Sequence, residues 1–119
     1  MKADINEEKR AQLKAAAYRK EQQLEEFQQV KNGYLQSLEN FNTTFNDLAR
    51  DYEETVNDDL AHGAANEDEL AANQELKQQT NRTIADQYDA TNQLYNRIRR
   101  QSDDEIDDLN KQRSRLPWA

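Results

Sequence analysis

Asp59 and His62 stand three residues apart, a spacing at which one helix face presents a carboxylate and an imidazole to the same metal ion. Carboxylate-bridged di-metal sites need two such pairs and further inward carboxylates, and His62 is the single histidine of the chain. The chain has no cysteine, which excludes thiolate zinc ligation, a disulfide scaffold and a Cys nucleophile. Gly-rich phosphate loops, Gly-x-Ser-x-Gly and His-Glu-x-x-His do not occur. Neighbouring carboxylates abound, as in Asp103-Asp104-Glu105 and Asp107-Asp108, but they belong to polar helix faces, where their role is solvation. Asn42-Thr43-Thr44 and Asn81-Arg82-Thr83 fit a glycan acceptor only in a secretory-pathway protein. The inventory points to a non-enzymatic protein without catalytic, metal-binding or cofactor-binding residues.

Binding chemistry is narrowed in the same way. Arg97-Ile98-Arg99-Arg100 and Lys111-Gln112-Arg113-Ser114-Arg115 are basic, yet acidic runs separate them, the pattern of salt-bridged helix faces. With 24 acidic against 16 basic side chains the net charge is −8, which repels phosphate and argues against nucleic acid. Only 34% of the 119 residues are apolar, and the mean hydropathy is −1.30. No apolar run approaches the ~18 residues of a membrane span. The residues Met1 to Glu8 include no apolar segment of signal-peptide type, so the expectation is cytoplasmic synthesis and residence. The length suits one domain, and one Pro with two Gly is too few turn-formers for a many-stranded β protein.

The elements follow from periodicity. Alternating steps of three and four from Leu13 reach Ala17, Lys20, Leu24, Phe27, Lys31, Tyr34, Leu38, Phe41, Phe45, Leu48, Tyr52 and Thr55. Ten of these thirteen positions are apolar or aromatic, which is a heptad seam and predicts a long helix. Lys20 and Lys31 interrupt it, with stems able to lie along the seam and set register. Gly63 then suits the left-handed residue beyond a helix C-terminus. Asn66 and Glu69 have capping-box spacing, and Glu67, Asp68 and Glu69 favour the start of a new helix. The second stripe is weaker: Leu70, Ile84, Tyr88, Thr91, Tyr95, Ile98, Ile106 and Leu109. Ile84, Tyr95 and Ile106 recur every eleven residues, a departure from a strict left-handed supercoil. Pro117 ends this helix.

The expected architecture is all-α: a single elongated antiparallel two-helix hairpin with coiled-coil-like packing. Its helices run over about 5–61 and 67–115, its turn over about 62–66, and its tail over 116–119. With the turn centred near Ala64, Leu116 and Trp118 are expected to cover Leu13 and Ala17 or to anchor a partner. Two helices touch along one line and cannot enclose so many aromatic residues, so another helical chain is expected to complete the core. The seam residues proposed to serve both ends are Leu24, Phe27, Tyr34, Leu38, Phe41, Phe45, Leu48, Tyr52, Ile84, Tyr88, Tyr95, Ile98, Leu116 and Trp118. A second copy of the chain is the alternative occupant, which would make the protein a self-associating scaffold or spacer.

Charge is unevenly placed. Asp51, Glu53, Glu54, Asp58, Asp59, Glu67, Asp68, Glu69 and Glu75 occupy 51–75 without a single Lys or Arg. The opposite end of the expected hairpin holds Lys9, Arg10, Lys14, Arg19, Lys20, Lys111, Arg113 and Arg115. Such polarity would orient a partner lying alongside.

A short, acidic, cysteine-free hairpin of this kind resembles the small helical proteins of bacterial type VII (Esx-type) secretion. Its length and the terminal Leu116-Pro117-Trp118 look most like the accessory helical proteins of LXG-domain toxins. That resemblance covers the whole chain in architecture. It implies a cytoplasmic targeting partner that binds the helical LXG domain, often with a second small helical protein, and presents the toxin for export. Where a WXG-type protein carries Trp-x-Gly at the turn, this chain has Ala61-His62-Gly63. Tyr88 is followed four residues later by Asn92 and Tyr95 by Arg99, so no Tyr-x-x-x-Asp/Glu export signal is present. The resemblance therefore implies that the export signal resides on another subunit.

Overall fold

A computed structural model describes residues 5–63 and 67–118. The chain is an all-α hairpin of two helices, α1 (Glu7–Ala61) and α2 (Glu67–Arg115), and no strand occurs among the described residues. Glu7 and Glu8 open α1, and Glu67, Asp68 and Glu69 open α2, each set facing the positive end of its helix dipole. Arg113 and Arg115 complement the other end of α2. Gly63 sits at φ +75° and donates its N–H to the Leu60 carbonyl at 3.2 Å, which closes α1 through the left-handed conformation that glycine adopts without strain. The capping pair read from the sequence involves Asn66, which lies outside the described residues.

Contacts divide the chain into two compact units. One pairs residues up to Asn32 with those from Asn92 onward; the other is Gly33–Thr91 and contains the turn.

In the first unit the buried line of α1 follows the heptad positions Leu13, Ala17, Lys20, Leu24, Phe27 and Lys31. Tyr95 is its centre, buried on α2, stacked parallel on Phe27 at 6.1 Å between ring centroids and capped by the Lys31 ammonium at 4.1 Å. Lys20 pairs with Glu105 across the helices. Both seam lysines thus keep their stems in the contact and spend their charge on α2. This hydrogen bond from Lys20, assisted by one from Gln101, holds the Glu105 carboxyl below its ordinary range. A lowered carboxylate stabilises the fold above its unfolded pKa and loses that contribution as pH falls through the folded value. Glu105→Gln should therefore flatten part of the acid limb of melting temperature against pH. An unchanged acid limb would show that the pair contributes nothing.

In the second unit the inward positions of α1 are Leu35, Leu38, Asn42, Phe45, Ala49, Glu53, Val56 and Leu60. These lie one residue past the heptad positions at Tyr34, Phe41, Leu48, Tyr52 and Thr55. The cause is helical geometry. An α-helix turns once in about 3.6 residues, so a pattern repeating every 3.5 drifts about 20° per heptad from the contact line. On α2, Ile84, Tyr95 and Ile106, whose spacing of eleven matches the helix better, all face inward. Leu35, Ala49, Val56, Ala17 and Tyr95 are the buried apolar residues among those described, and two of the five are alanines. The core is thin.

Polar residues fill the rest of this line. Asn46 Nδ2 donates to the Asn42 carbonyl (2.8 Å) and to Asn81 Oδ1 across the helices (3.2 Å), and Asn73 Nδ2 donates to the Ala49 carbonyl at 3.1 Å. These cross-helix bonds fix one pairing of α1 with α2. Asn46 Oδ1 is buried without a hydrogen-bond partner, and an orphaned acceptor costs about 1–3 kcal/mol. The double replacement Asn46→Leu/Asn81→Leu removes both the orphan and its cross-helix partner. It should raise stability by about 1–2 kcal/mol in thermal or urea melts; a loss of stability would mean that the asparagine bonds outweigh the orphan.

Candidate interaction surface

Displacement of the heptad positions from the contact line leaves an apolar flank on Gly33–Thr91. Phe41 is 56% exposed and Leu48 63%, with Tyr34 and Tyr52 also open. All four were expected on the seam, and the drift just described puts them beside it. At one end Tyr34 Oη donates to Gln87 Oε1 of α2 at 3.4 Å. At the other, Tyr52 and Leu76 line an open groove with Glu69, Ala72 and Asn73. These two contacts place Tyr34, Phe41, Leu48, Tyr52 and Leu76 along the same side of the unit. Phe41 rests its ring on Phe45, a half-buried neighbour, at 6.1 Å between centroids and 17° between planes. The flank is therefore tied to the core beneath it.

The remaining seam residues divide similarly. Leu24, Phe27, Leu38, Phe45, Ile84 and Ile98 are half-buried between the helices and Tyr95 is fully so. Tyr88, expected on the seam, is 43% exposed. Leu35, Ala49 and Val56 were missed by the heptad pattern; stepping at the helix's own period from Leu13 reaches all three.

The tail is held at the first turn of α1. Asn6 Nδ2 donates to the Pro117 carbonyl at 2.7 Å, and Arg10 Nη1 reaches the Leu116 and Pro117 carbonyls at 3.4 Å each. The Arg10 guanidinium lies 3.6 Å from the Trp118 ring, whose other side is open: Trp118 is 79% exposed. Pairings such as Phe27 with Tyr95 and Lys20 with Glu105 set α2 three to six residues further toward the start of α1 than a turn centred on Ala64 would. Leu116 is half-buried there.

The described residues with chemical potential lie apart from one another. His62 is exposed, with Nδ1 2.7 Å from the Asp58 carbonyl and 3.8 Å from the Asp58 carboxylate, so its neighbour is Asp58 and not the half-buried Asp59. No group of three or more His, Asp or Glu that could hold a metal occurs among the described residues. Arg97 and Arg100 line a shallow open groove with Gln93 and Asn96. No helix among the described residues is long and apolar enough to cross a membrane. Comparison with protein-family models, curated proteins and solved structures finds no match to this chain.

Proposed function

We propose that this protein is a non-enzymatic helical adaptor, a targeting chaperone that binds the helical LXG domain of a type VII-secreted toxin in the cytoplasm. A second small helical partner completes the complex and supports export. The observation that carries this reading is the flank Tyr34, Phe41, Leu48, Tyr52 and Leu76, left open on a hairpin whose own core is thin. A helix laid against that flank would bury it, which is how one helical protein recognises another. The terminal Leu116-Pro117-Trp118, with Trp118 presenting an open ring face, adds a second anchoring point.

Co-expression with an LXG protein encoded beside this chain tests the proposal. The expected result is a co-purifying complex that melts well above the chain alone, because a ligand that binds only the folded state stabilises it. A chain that purifies cleanly and ignores the toxin would sink the idea. The same open flank also serves the alternative reading, a self-associating scaffold, which would give a stable homo-oligomer by light scattering without any partner.

A further inference from the structure

The two units differ sharply in charge. Gly33–Thr91 carries thirteen Asp and Glu against three Lys and Arg, a net −10, and the rest of the chain carries +2. One of the three cations, Arg50, is already paired with Asp47 at 3.2 Å. The open apolar flank therefore lies on the acidic unit. We propose that this flank is the docking site for one basic amphipathic helix of a different protein, with apolar residues at helical spacing and Lys or Arg on both sides of them. The proposal rests on the adaptor reading above and names the chemistry of the partner.

Geometry sets the size of the occupant. Tyr34, Phe41, Leu48 and Tyr52 are spaced by seven, seven and four, so they form one nearly axial row. The row spans eighteen residues, about 27 Å at helical rise, which five turns of a third helix would match. The groove bounded by Tyr52 and Leu76 offers a pocket for one apolar side chain.

Charge then selects against a second copy. Joining two acidic units through this flank would bring two charges of −10 together with few cations to offset them. The other unit is no better as an occupant, because its own carboxylates leave it a net charge of only +2 and several of its cations are already engaged. Lys20 pairs with Glu105, Lys111 with Asp107 at 2.9 Å, Lys31 caps Tyr95 and Arg10 lies on Trp118. Nucleic acid is repelled by the same carboxylates.

The test uses the full chain and two labelled 21-residue synthetic peptides. Both carry leucines at alternating three- and four-residue steps, one flanked by lysines and the other by glutamates, and binding is read by fluorescence anisotropy. The lysine peptide should bind and turn helical by circular dichroism, at least tenfold more tightly than the glutamate peptide, and should weaken as salt is raised. Phe41→Gln/Leu48→Gln should weaken it at least tenfold while the chain keeps its helical circular dichroism, with the melting temperature lowered only by the few degrees that the lost Phe41–Phe45 contact accounts for. Val30→Gln, at a residue 69% exposed in the other unit, should leave it unchanged. Equal binding of the two peptides, or wild-type binding by the double variant, would overturn the proposal. So would a wild-type chain that sediments as a dimer and becomes monomeric in the double variant, since the occupant would then be a second copy. If an LXG domain co-purifies undiminished with the double variant, this flank is wrong and the adaptor reading stands. If the lysine peptide binds as expected and no LXG domain does, the flank stands and the adaptor reading fails.

Discussion

Tyr95→Ala should be the most damaging single truncation in the chain, lowering stability by about 3–5 kcal/mol. Tyr95 is the buried aromatic residue of α2 and its ring does three things at once: it fills the interhelical space, stacks on Phe27 and supports the Lys31 ammonium. A two-helix layer has no third element that could collapse into the vacated volume, so the cavity opens to water and the stack is lost outright. The expected observation is a steep loss of helical circular dichroism at temperatures where the wild type is folded. Tyr95→Phe keeps the ring and should stay close to wild type. If alanine at this position costs less than about 1 kcal/mol, the Phe27–Tyr95 stack is not what joins the helices there.

Val56→Asp and Phe41→Asp make the second large contrast. A heptad reading ranks Phe41 as core and passes over Val56. In the structure Val56 is 2% exposed and Phe41 56%. A carboxylate at Val56 is enclosed without a counter-charge and should cost on the order of 3–5 kcal/mol. At Phe41 the new carboxylate stands in solvent, and the loss should be limited to the ring's contact with Phe45, about 1 kcal/mol. Urea melts of the two variants decide the matter, and a reversed order would mean that the helices pair along the heptad line after all.

The difference between those two residues also shows what was legible in the chain. The helical hairpin was legible because its signals are local: the acidic first turns, Gly63 past the end of α1, Pro117 past the end of α2. The candidate residues up to Lys31 were legible too, since over few turns a step of 3.5 and one of 3.6 select the same positions. Beyond Gly33 they diverge, and apolar side chains at Tyr34, Phe41, Leu48 and Tyr52 favoured the wrong line. Leu35, Ala49 and Val56 went unrecognised because the polar positions between them, Asn42 and Glu53, look like solvent positions in a sequence. Asn46 and Asn81 pointed inward for a reason no periodicity records, a hydrogen bond between two helices. Arg10 on Trp118 joins the two ends of the chain, and that contact depends on a pairing offset of a few residues that no local signal records.

The sliding of the aromatic row off the contact line has a further meaning. Two rulings of slightly different pitch behave as a vernier: they coincide where they start and separate in proportion to distance. Up to Lys31 the heptad ruling of α1 and its packing ruling still agree, and a helix that ended there would keep Leu13, Leu24 and Phe27 between the helices. Only because α1 continues to Ala61 do Tyr34, Phe41, Leu48 and Tyr52 come to the surface. Length is thus a structural variable of this chain, since it decides how many would-be core residues come to the surface.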